Sequence, residues 1–378
     1  MISIDKEQNC LLELIKASLF NLQPNNPDNV NWERVLELAK LQCVVPLITY
    51  LVPLEYSVEW LKVLYQSKAH FMQMLYEQDS LVSLLKEHNI PLIIFKGVAA
   101  SVYFPNPSLR TYGDIDFYVF KENLASALVV LEQNGYKFIS NDERQYVFEK
   151  NGVEFELHSK FSSKHYNNIE HIIINGMENA VEYRITGYSF PGLPKYENGV
   201  VLLGHIMQHL KSSGIGLRQI IDWMMFVHAE LDDLAWQEHF RTLAIEAGLD
   251  RLAVTVTFMC RKWMGLPNNI TWCNNADEEV ADQLLIRILD DGNFGHDRAP
   301  YENLKRHINN EGFFTHLQNT GVENWRLAKK YKIIRPFAWL YQLCKYAYQG
   351  AFRFFSGEKV FQKDKQLINL EELWRKLE

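Results

Sequence analysis

The sequence predicts an α+β protein in which a small mixed β-sheet core lies between helical N- and C-terminal regions. Apolar residues recur at helical spacing before about residue 90 and again after about residue 165. Between these limits, short runs alternate apolar and polar side chains, as β-strands do, and turn residues separate them. We therefore predict a helical region 1–89, an α/β core 90–165 and a mainly helical region 166–378.

The two helical regions follow from apolar periodicity and from chain breakers. In the first, Leu11, Ile15 and Leu19 share a helix face, and NLQPNNPDNV (21–30) separates this helix from the next. In the second, an extended piece, EYRITGYSFPGLP (182–194), precedes a series of helices. These helices are predicted around 198–212, 216–230, 233–247, 250–265, 277–290 and 300–318.

The core is predicted as strands and helices in alternation, followed by a hairpin. The strands are PLIIF (91–95), DIDFYVF (114–120) and two runs of RQYVFEKNGVEFELH (144–158) on either side of Lys150-Asn151-Gly152. The helices are VAASVYF (98–104) and NLASALVVLEQNGY (123–136), the latter closed by Asn134-Gly135. This order predicts a small mixed sheet with helices on one face.

Composition narrows the class of protein. A net charge of −7 and a pI near 6.0 argue against extended binding to nucleic acid or to an anionic membrane. The longest apolar run, CVVPLITYLVPL (43–54), is too short to span a bilayer. The five cysteines form no close pair, which is typical of a reducing compartment, so we expect a cytoplasmic protein.

Two carboxylates share one face of the DIDFYV strand. Side chains alternate along a strand, so Asp114 and Asp116 point away from the apolar face of Ile115 and Phe117. Two neighbouring carboxylates repel each other, and a divalent cation such as Mg²⁺ relieves that repulsion. From this repulsion alone, Asp116→Asn is expected to leave the metal-free protein equally or more stable.

A third acid is available on the later strand GVEFELH (152–158). Glu154, Glu156 and His158 occupy its polar face, and either glutamate can complete a three-carboxylate site if this strand lies beside the DID strand. Glu154 follows the hairpin turn directly, whereas Glu156 lies deeper in the strand. We therefore predict Glu156 as the third carboxylate and keep Glu154 and His158 as secondary candidates.

A phosphate-binding turn is predicted where the first strand ends. Lys96 offers a positive charge, Gly97 allows close approach of a ligand, and Arg110 precedes the aspartates by four residues. The alternatives are a solvated strand end for Lys96 and an ion pair with Asp114 or Asp116 for Arg110.

Together these motifs resemble the DNA polymerase β-like nucleotidyltransferase superfamily, and within it a bacterial branch with a K-G turn, R-x3-D-I-D and D/E-L-H. That branch also carries an H-x3-H helix and an R-x3-D helix. They look like His205 and His209, and like Arg218 and Asp222, in this chain. The resemblance covers roughly residues 80–230, with weaker similarity at DDGNFGHDR (290–298).

The resemblance implies a function and its site residues. Asp114, Asp116 and Glu156 would be metal ligands and catalytic residues, and Lys96, Gly97 and Arg110 would bind the nucleotide. The implied cofactor is Mg²⁺, with two ions expected and Mn²⁺ as an alternative. The implied reaction moves a nucleoside monophosphate from an NTP to an unknown small-molecule or protein acceptor.

Simpler interpretations stand beside these. His205 and His209 are more typical of packing or substrate contact than of metal binding, and Arg218 with Asp222 of an i, i+4 ion pair. DDGNFGHDR is more typical of a turn between helices, and the aromatic tail 337–355 of packing than of membrane contact. Two other functions remain open: a non-catalytic nucleotide- or partner-binding protein, and a metal-dependent phosphohydrolase.

Overall fold

A computed structural model describes residues 4–25, 29–141, 145–161, 167–211, 214–293, 335–337, 339–341 and 370–377. Its centre is a seven-stranded mixed sheet in the order β3-β4-β5-β2-β1-β7-β6. The strands are β1 Leu92–Ile94, β2 Ile115–Val119, β3 Lys137–Asn141, β4 Gln145–Lys150, β5 Val153–His158, β6 Val181–Ile185 and β7 Tyr188–Gly192. The predicted α+β class is confirmed.

Helices precede, interrupt and follow the sheet in the chain. They are α1 Lys6–Phe20, α2 Trp32–Leu41, α3 Val45–Ile48, α4 Ser57–Glu87, α5 Gly97–Ser101, α6 Leu124–Gln133, α7 Asn167–Glu178, α8 Lys195–Lys211, α9 Leu217–Glu230, α10 Asp233–Ala235, α11 Arg241–Glu246, α12 Asp250–Trp263 and α13 Glu278–Asp291, with a further helix at Leu370–Leu377. Among the described helices, none has both the length and the apolar composition needed to cross a membrane.

Local sequence explains where helices begin and end. Asp5 caps α1 by accepting a hydrogen bond from the backbone N–H of Gln8 at 2.7 Å, and the Gln8 side chain accepts one from Asp5 N–H at 3.1 Å. Asn21 ends α1 in the left-handed conformation, with φ 52°. Capping residues therefore encode both ends of α1.

The apolar face of the sheet packs on α4 and α6. Ile115, Phe117 and Phe155 join a core with residues of both helices, among them Leu75 of α4. This burial of the odd-numbered strand positions leaves the even-numbered position 116 on the opposite face. Burial on one face thus fixes which way the acidic side chains project.

The opposite face of the sheet also meets helices. Ile93, Phe95 and Tyr118 belong to a second, larger core that includes residues of α1 to α3 and of α8 and α9. The prediction of helices on one face only is therefore wrong, because the C-terminal helices cover part of the other face. The acidic positions of β2 project toward this helical region.

The sheet continues past the predicted core. The hairpin β6–β7 joins it through a parallel pairing of Ile94 with Gly192, so two strands lie beyond residue 165. The region limits 1–89, 90–165 and 166–378 stay a prediction. The helix expected at 300–318 and most of the tail 337–355 lie outside the described residues.

Candidate active site

Three acidic positions and a histidine meet where β2 and β5 run side by side. The two strands are parallel, with Asp116 opposite Glu156 and Tyr118 opposite His158. Asp114 lies directly before β2. The expectation that the strand carrying Glu156 lies beside the DID strand is confirmed.

Two overlapping groups of side chains can hold a cation. In Asp116, Glu156 and His158, one ligand atom from each side chain lies within 4.8 Å of the other two, and the same holds for Asp114, Glu154 and Glu156. Glu156 belongs to both groups. Carboxylate oxygens are the ligands that Mg²⁺ and Mn²⁺ prefer, so the four carboxylates of these groups fit these ions, whereas the His158 nitrogen is not a ligand that Mg²⁺ prefers.

Asp116 has two cationic or hydrogen-bonding neighbours. Lys96 Nζ lies 2.7 Å and His158 Nε2 lies 2.8 Å from the same oxygen, Asp116 Oδ1. Burial would raise the pKa of the Asp116 carboxyl, but Lys96 and His158 hold this pKa well below its usual range. Asp116 is therefore ionised and already neutralised in the metal-free protein.

Asp114 is a carboxyl group of this cluster whose ionisation is disfavoured. Burial first, and then the charges of Asp116 and Glu156, raise the pKa of Asp114 from its ordinary value of 3.8 to about 7, although Lys96 and Arg218 oppose this rise. The repulsion predicted between the two aspartates therefore disfavours ionisation of Asp114, whereas Asp116 stays ionised.

Asp114→Asn is expected to stabilise the metal-free protein above neutral pH. Because the folded pKa of Asp114 lies above its unfolded value, its contribution to stability is fully present below pH 3.8 and is lost as pH rises through about 7. The substitution removes this loss, on the order of 4 kcal/mol at pH 8.

Urea unfolding of the wild-type and Asp114→Asn proteins in EDTA measures this effect. The stability difference should be larger at pH 8 than at pH 5. A variant that is less stable than wild type at pH 8 would show that Asp114 is a structural residue instead.

Sequence reasoning missed Gln145. Its side-chain Nε2 donates to Glu156 Oε1 at 2.9 Å, and β4 places Val147 directly opposite Glu156. Odd positions of β4 thus share the face of Glu156, and the alternation around the hairpin turn is the signal that could have identified Gln145. The other oxygen of Glu156 lies 3.4 Å from His158 Nε2.

Arg110 pairs with Asp222, against both expected pairings. Its Nε and Nη2 donate to the two carboxylate oxygens of Asp222 at 2.7 Å each, and both side chains are 5 % exposed. Neither the expected pair of Arg110 with Asp114 or Asp116 nor that of Arg218 with Asp222 is observed. Arg218 instead donates to the backbone oxygen of Thr111 at 3.3 Å.

This pair joins the loop before β2 to α9, 112 residues later in the chain. The charge of Asp114 raises the pKa of Arg110, and the charge of Arg218 from α9 lowers the pKa of Asp114. The helical region therefore contributes directly to the electrostatics of the acidic cluster. The nucleotide-binding role of Arg110 stays a prediction.

Breaking the Arg110–Asp222 pair is expected to lower the free energy of unfolding by about 3–5 kcal/mol, because one buried charge is left without its partner. Either Arg110→Met or Asp222→Asn, measured by urea unfolding, tests this. Arg34→Met is the control: Arg34 pairs with Glu37 at the surface, where such pairs contribute about 0–1 kcal/mol. Losses below about 1 kcal/mol for both buried variants would contradict the expectation.

His205 and His209 form a close pair on α8. Their Nε2 atoms lie 2.6 Å apart, so one ring donates a hydrogen bond to the other. Burial, the neighbouring His209 and Lys96 hold the pKa of His205 well below its ordinary value. Within the described part of the chain, no third metal-binding side chain joins them. Their role as secondary site residues stays a prediction.

Gly97 and the beginning of the DDGNFGHDR segment complete the predicted set. A methyl group at Gly97 would meet Asp114 O at 3.5 Å, an ordinary contact, so the metal-free fold alone does not require glycine there. In the second segment, Asn293 accepts a hydrogen bond from Gln219 Nε2 at 2.9 Å, which ties the end of α13 to α9. Residues 294–298 lie outside the described part.

Comparison with known proteins decides the family. The sequence model of a family described as uncharacterised nucleotidyltransferase matches residues 28–265. This chain belongs to that family. The family predicted from the K-G turn, R-x3-D-I-D and E-L-H is thereby confirmed, and the matched range contains every predicted site residue. A comparison with curated proteins finds no match.

Three solved structures show remote similarity to this chain. ANT(2″)-Ia in complex with adenylyl-2″-tobramycin shares 11% identity over 48% of this chain and 98% of its own, with a TM-score of 0.34. The solution structure of the antibiotic-resistance factor ANT(2″)-Ia shares 12% identity over 50% and 99%, with a TM-score of 0.33. An antigenic nucleotidyltransferase-like protein from Paracoccidioides brasiliensis shares 14% identity over 52% and 94%, with a TM-score of 0.34.

Proposed function

We propose that this nucleotidyltransferase-family protein transfers a nucleoside monophosphate from an NTP to an acceptor in a Mg²⁺-dependent reaction. The observation that carries the proposal is the parallel register of β2 and β5. It places Glu156 beside Asp116 and creates two three-ligand groups that share Glu156. A carboxylate shared by two cation sites holds the two ions close together. Such a pair of ions stabilises the attacking and the leaving oxygen of a phosphoryl transfer.

The acidic cluster has a defined task in this proposal. Asp114, Asp116, Glu154 and Glu156 would hold the ions through their carboxylate oxygens, and His158 would orient Asp116 through its hydrogen bond. Bound there, Mg²⁺ would neutralise charge at the transferred phosphoryl group. Mn²⁺ fits the same ligands. Glu156 also helps to activate the acceptor, because it lies between the two groups.

The remaining residues bind and orient the nucleotide. Lys96 supplies a positive charge for the phosphates, and Gly97 at the start of α5 allows their close approach. The acceptor oxygen attacks the α-phosphorus, the bond from that phosphorus to the bridging oxygen breaks, and pyrophosphate leaves. The acceptor is a small molecule or a protein side chain of unknown identity. Cys43, Cys260 and Cys273 are free cysteines, which fits the cytoplasmic location we propose.

Product analysis tests the proposal. The protein is incubated with each NTP, Mg²⁺ and either a cell extract or a panel of small molecules, and pyrophosphate and phosphate are measured separately. A transferase releases pyrophosphate only when an acceptor is present. Phosphate release without an acceptor indicates a hydrolase, and NTP binding without either product indicates a non-catalytic binding protein.

A further inference from the structure

The Lys96 ammonium is hydrogen-bonded to an Asp116 oxygen that a metal ion would need as a ligand. The ammonium lies 2.7 Å from Asp116 Oδ1, and the two side chains are 11% and 5% exposed. His158 Nε2 approaches the same oxygen at 2.8 Å. Asp116 Oδ1 thus accepts two hydrogen bonds in the metal-free protein, so a cation that binds this oxygen has to compete with Lys96.

The backbone of Lys96 is a second, independent observation. Lys96 has φ 56° and ψ −131°, a conformation that L-residues rarely adopt and that glycine tolerates. Among the described non-glycine residues with positive φ, which are Asn21, Asn29, Cys43, Asn89, Lys96, Asn151 and Thr186, Lys96 is the only charged one. Strain of this kind persists where the side chain has a function. Glycine would relieve the strain but could not supply the ammonium.

We propose that Lys96 is an internal counter-ion that neutralises Asp116 in the metal-free protein and moves to the phosphates of the nucleotide when a divalent cation takes its place. This inference rests on the proposed function and adds an order of events to it. The long, flexible side chain of lysine allows such a movement while its backbone stays fixed at the start of α5.

The proposal predicts effects of opposite sign for one substitution. Without Lys96, the Asp116 oxygen has one competitor fewer, so Mn²⁺ should bind more tightly. The nucleotide loses a phosphate contact, so it should bind more weakly. A lysine that merely supports the fold of the site would weaken both interactions, because the ligands would lose their arrangement.

Calorimetric titration of the full chain separates these cases. Mn²⁺ is titrated into wild type, Lys96→Met and Lys96→Gly, and non-hydrolysable analogues of the four NTPs are then titrated at saturating Mn²⁺. We expect the Mn²⁺ dissociation constant to fall about tenfold and that of the bound analogue to rise about tenfold. Lys96→Gly relieves the backbone strain, so it provides a folded variant if Lys96→Met unfolds.

Lys137→Met is the matched control. Lys137 is exposed on β3 of the same sheet, so this variant loses one positive charge without touching the site. Unchanged or weaker Mn²⁺ binding by both Lys96 variants overturns the counter-ion role, as does an equal gain in Lys137→Met. If wild type binds Mn²⁺ but none of the analogues, the proposed transferase function fails, and the Mn²⁺ affinities alone then decide the role of Lys96.

Discussion

Asp116→Asn is expected to abolish Mg²⁺-dependent transfer, with a loss of at least about 10³-fold, and also to destabilise the metal-free protein. The activity loss follows because several kcal/mol of charge stabilisation depend on this ligand, and each tenfold change corresponds to about 1.4 kcal/mol. The stability loss follows because Lys96 would keep a buried ammonium without its carboxylate partner, 2.7 Å away in wild type.

The sequence alone predicts the opposite stability change for this variant. It shows two aspartates on one strand face, and their repulsion suggests that removing either charge helps. The structure adds Lys96 and His158 on Asp116, so only Asp114 retains the unfavourable charge. We therefore expect a loss of about 2–4 kcal/mol for Asp116→Asn.

Thermal and urea unfolding in EDTA, together with the transfer assay, check both parts. Asp114→Asn is the matched control, since it should lose activity as well but gain stability at pH 8. An Asp116→Asn protein with wild-type transfer activity would remove Asp116 from the site. A gain in stability for this variant would contradict the Lys96 and His158 contacts as the main charge compensation.

Glu156→Gln is expected to cost at least about 10²-fold in transfer activity, whereas Glu154→Gln should cost less than about tenfold. Glu156 lies opposite Asp116 in the β2–β5 register and belongs to both candidate metal groups, while Glu154 belongs to one. Glu154 is also exposed, so water can replace its carboxylate as a ligand.

The two glutamine variants form their own matched pair, because they make the same chemical change two positions apart on one strand face. Transfer activity and Mn²⁺ stoichiometry are compared under identical conditions. A dead Glu154→Gln protein beside an active Glu156→Gln protein would show that the third carboxylate is Glu154.

The faces of their strands on which Asp116 and Glu156 lie could be predicted from the sequence because they follow from local alternation, whereas the adjacency of the two strands was a condition that the structure meets. Each acidic strand carries its apolar residues at every second position, and burial of Phe117 and Phe155 at 0% exposure fixes the direction of the acids. The choice of Glu156 over Glu154 follows from its depth in the strand and from the family resemblance, and it stays a prediction.

The contacts that the sequence could not predict are long-range ones. Arg110 and Asp222 are separated by 112 residues. The local sequence therefore does not show whether Asp222 pairs with Arg110 or with Arg218. Lys96 meets Asp116 only after β1 and β2 pair, and this pairing sets the charge balance at the site. The covering of the second sheet face by C-terminal helices also depends on tertiary packing, so periodicity did not predict it.

Transfer of the nucleoside monophosphate is tested by labelling the α-phosphate of the NTP and finding where the label goes. Wild type and Asp116→Asn are incubated with each α-labelled NTP, Mg²⁺ and a cell extract, and the label is traced after removal of free nucleotide. We predict label on an acceptor in the wild-type sample, with an equal amount of pyrophosphate, and none with Asp116→Asn or with EDTA. Label that stays entirely on free nucleotides for all four NTPs, although the protein binds Mg²⁺ and nucleotide, would contradict this prediction.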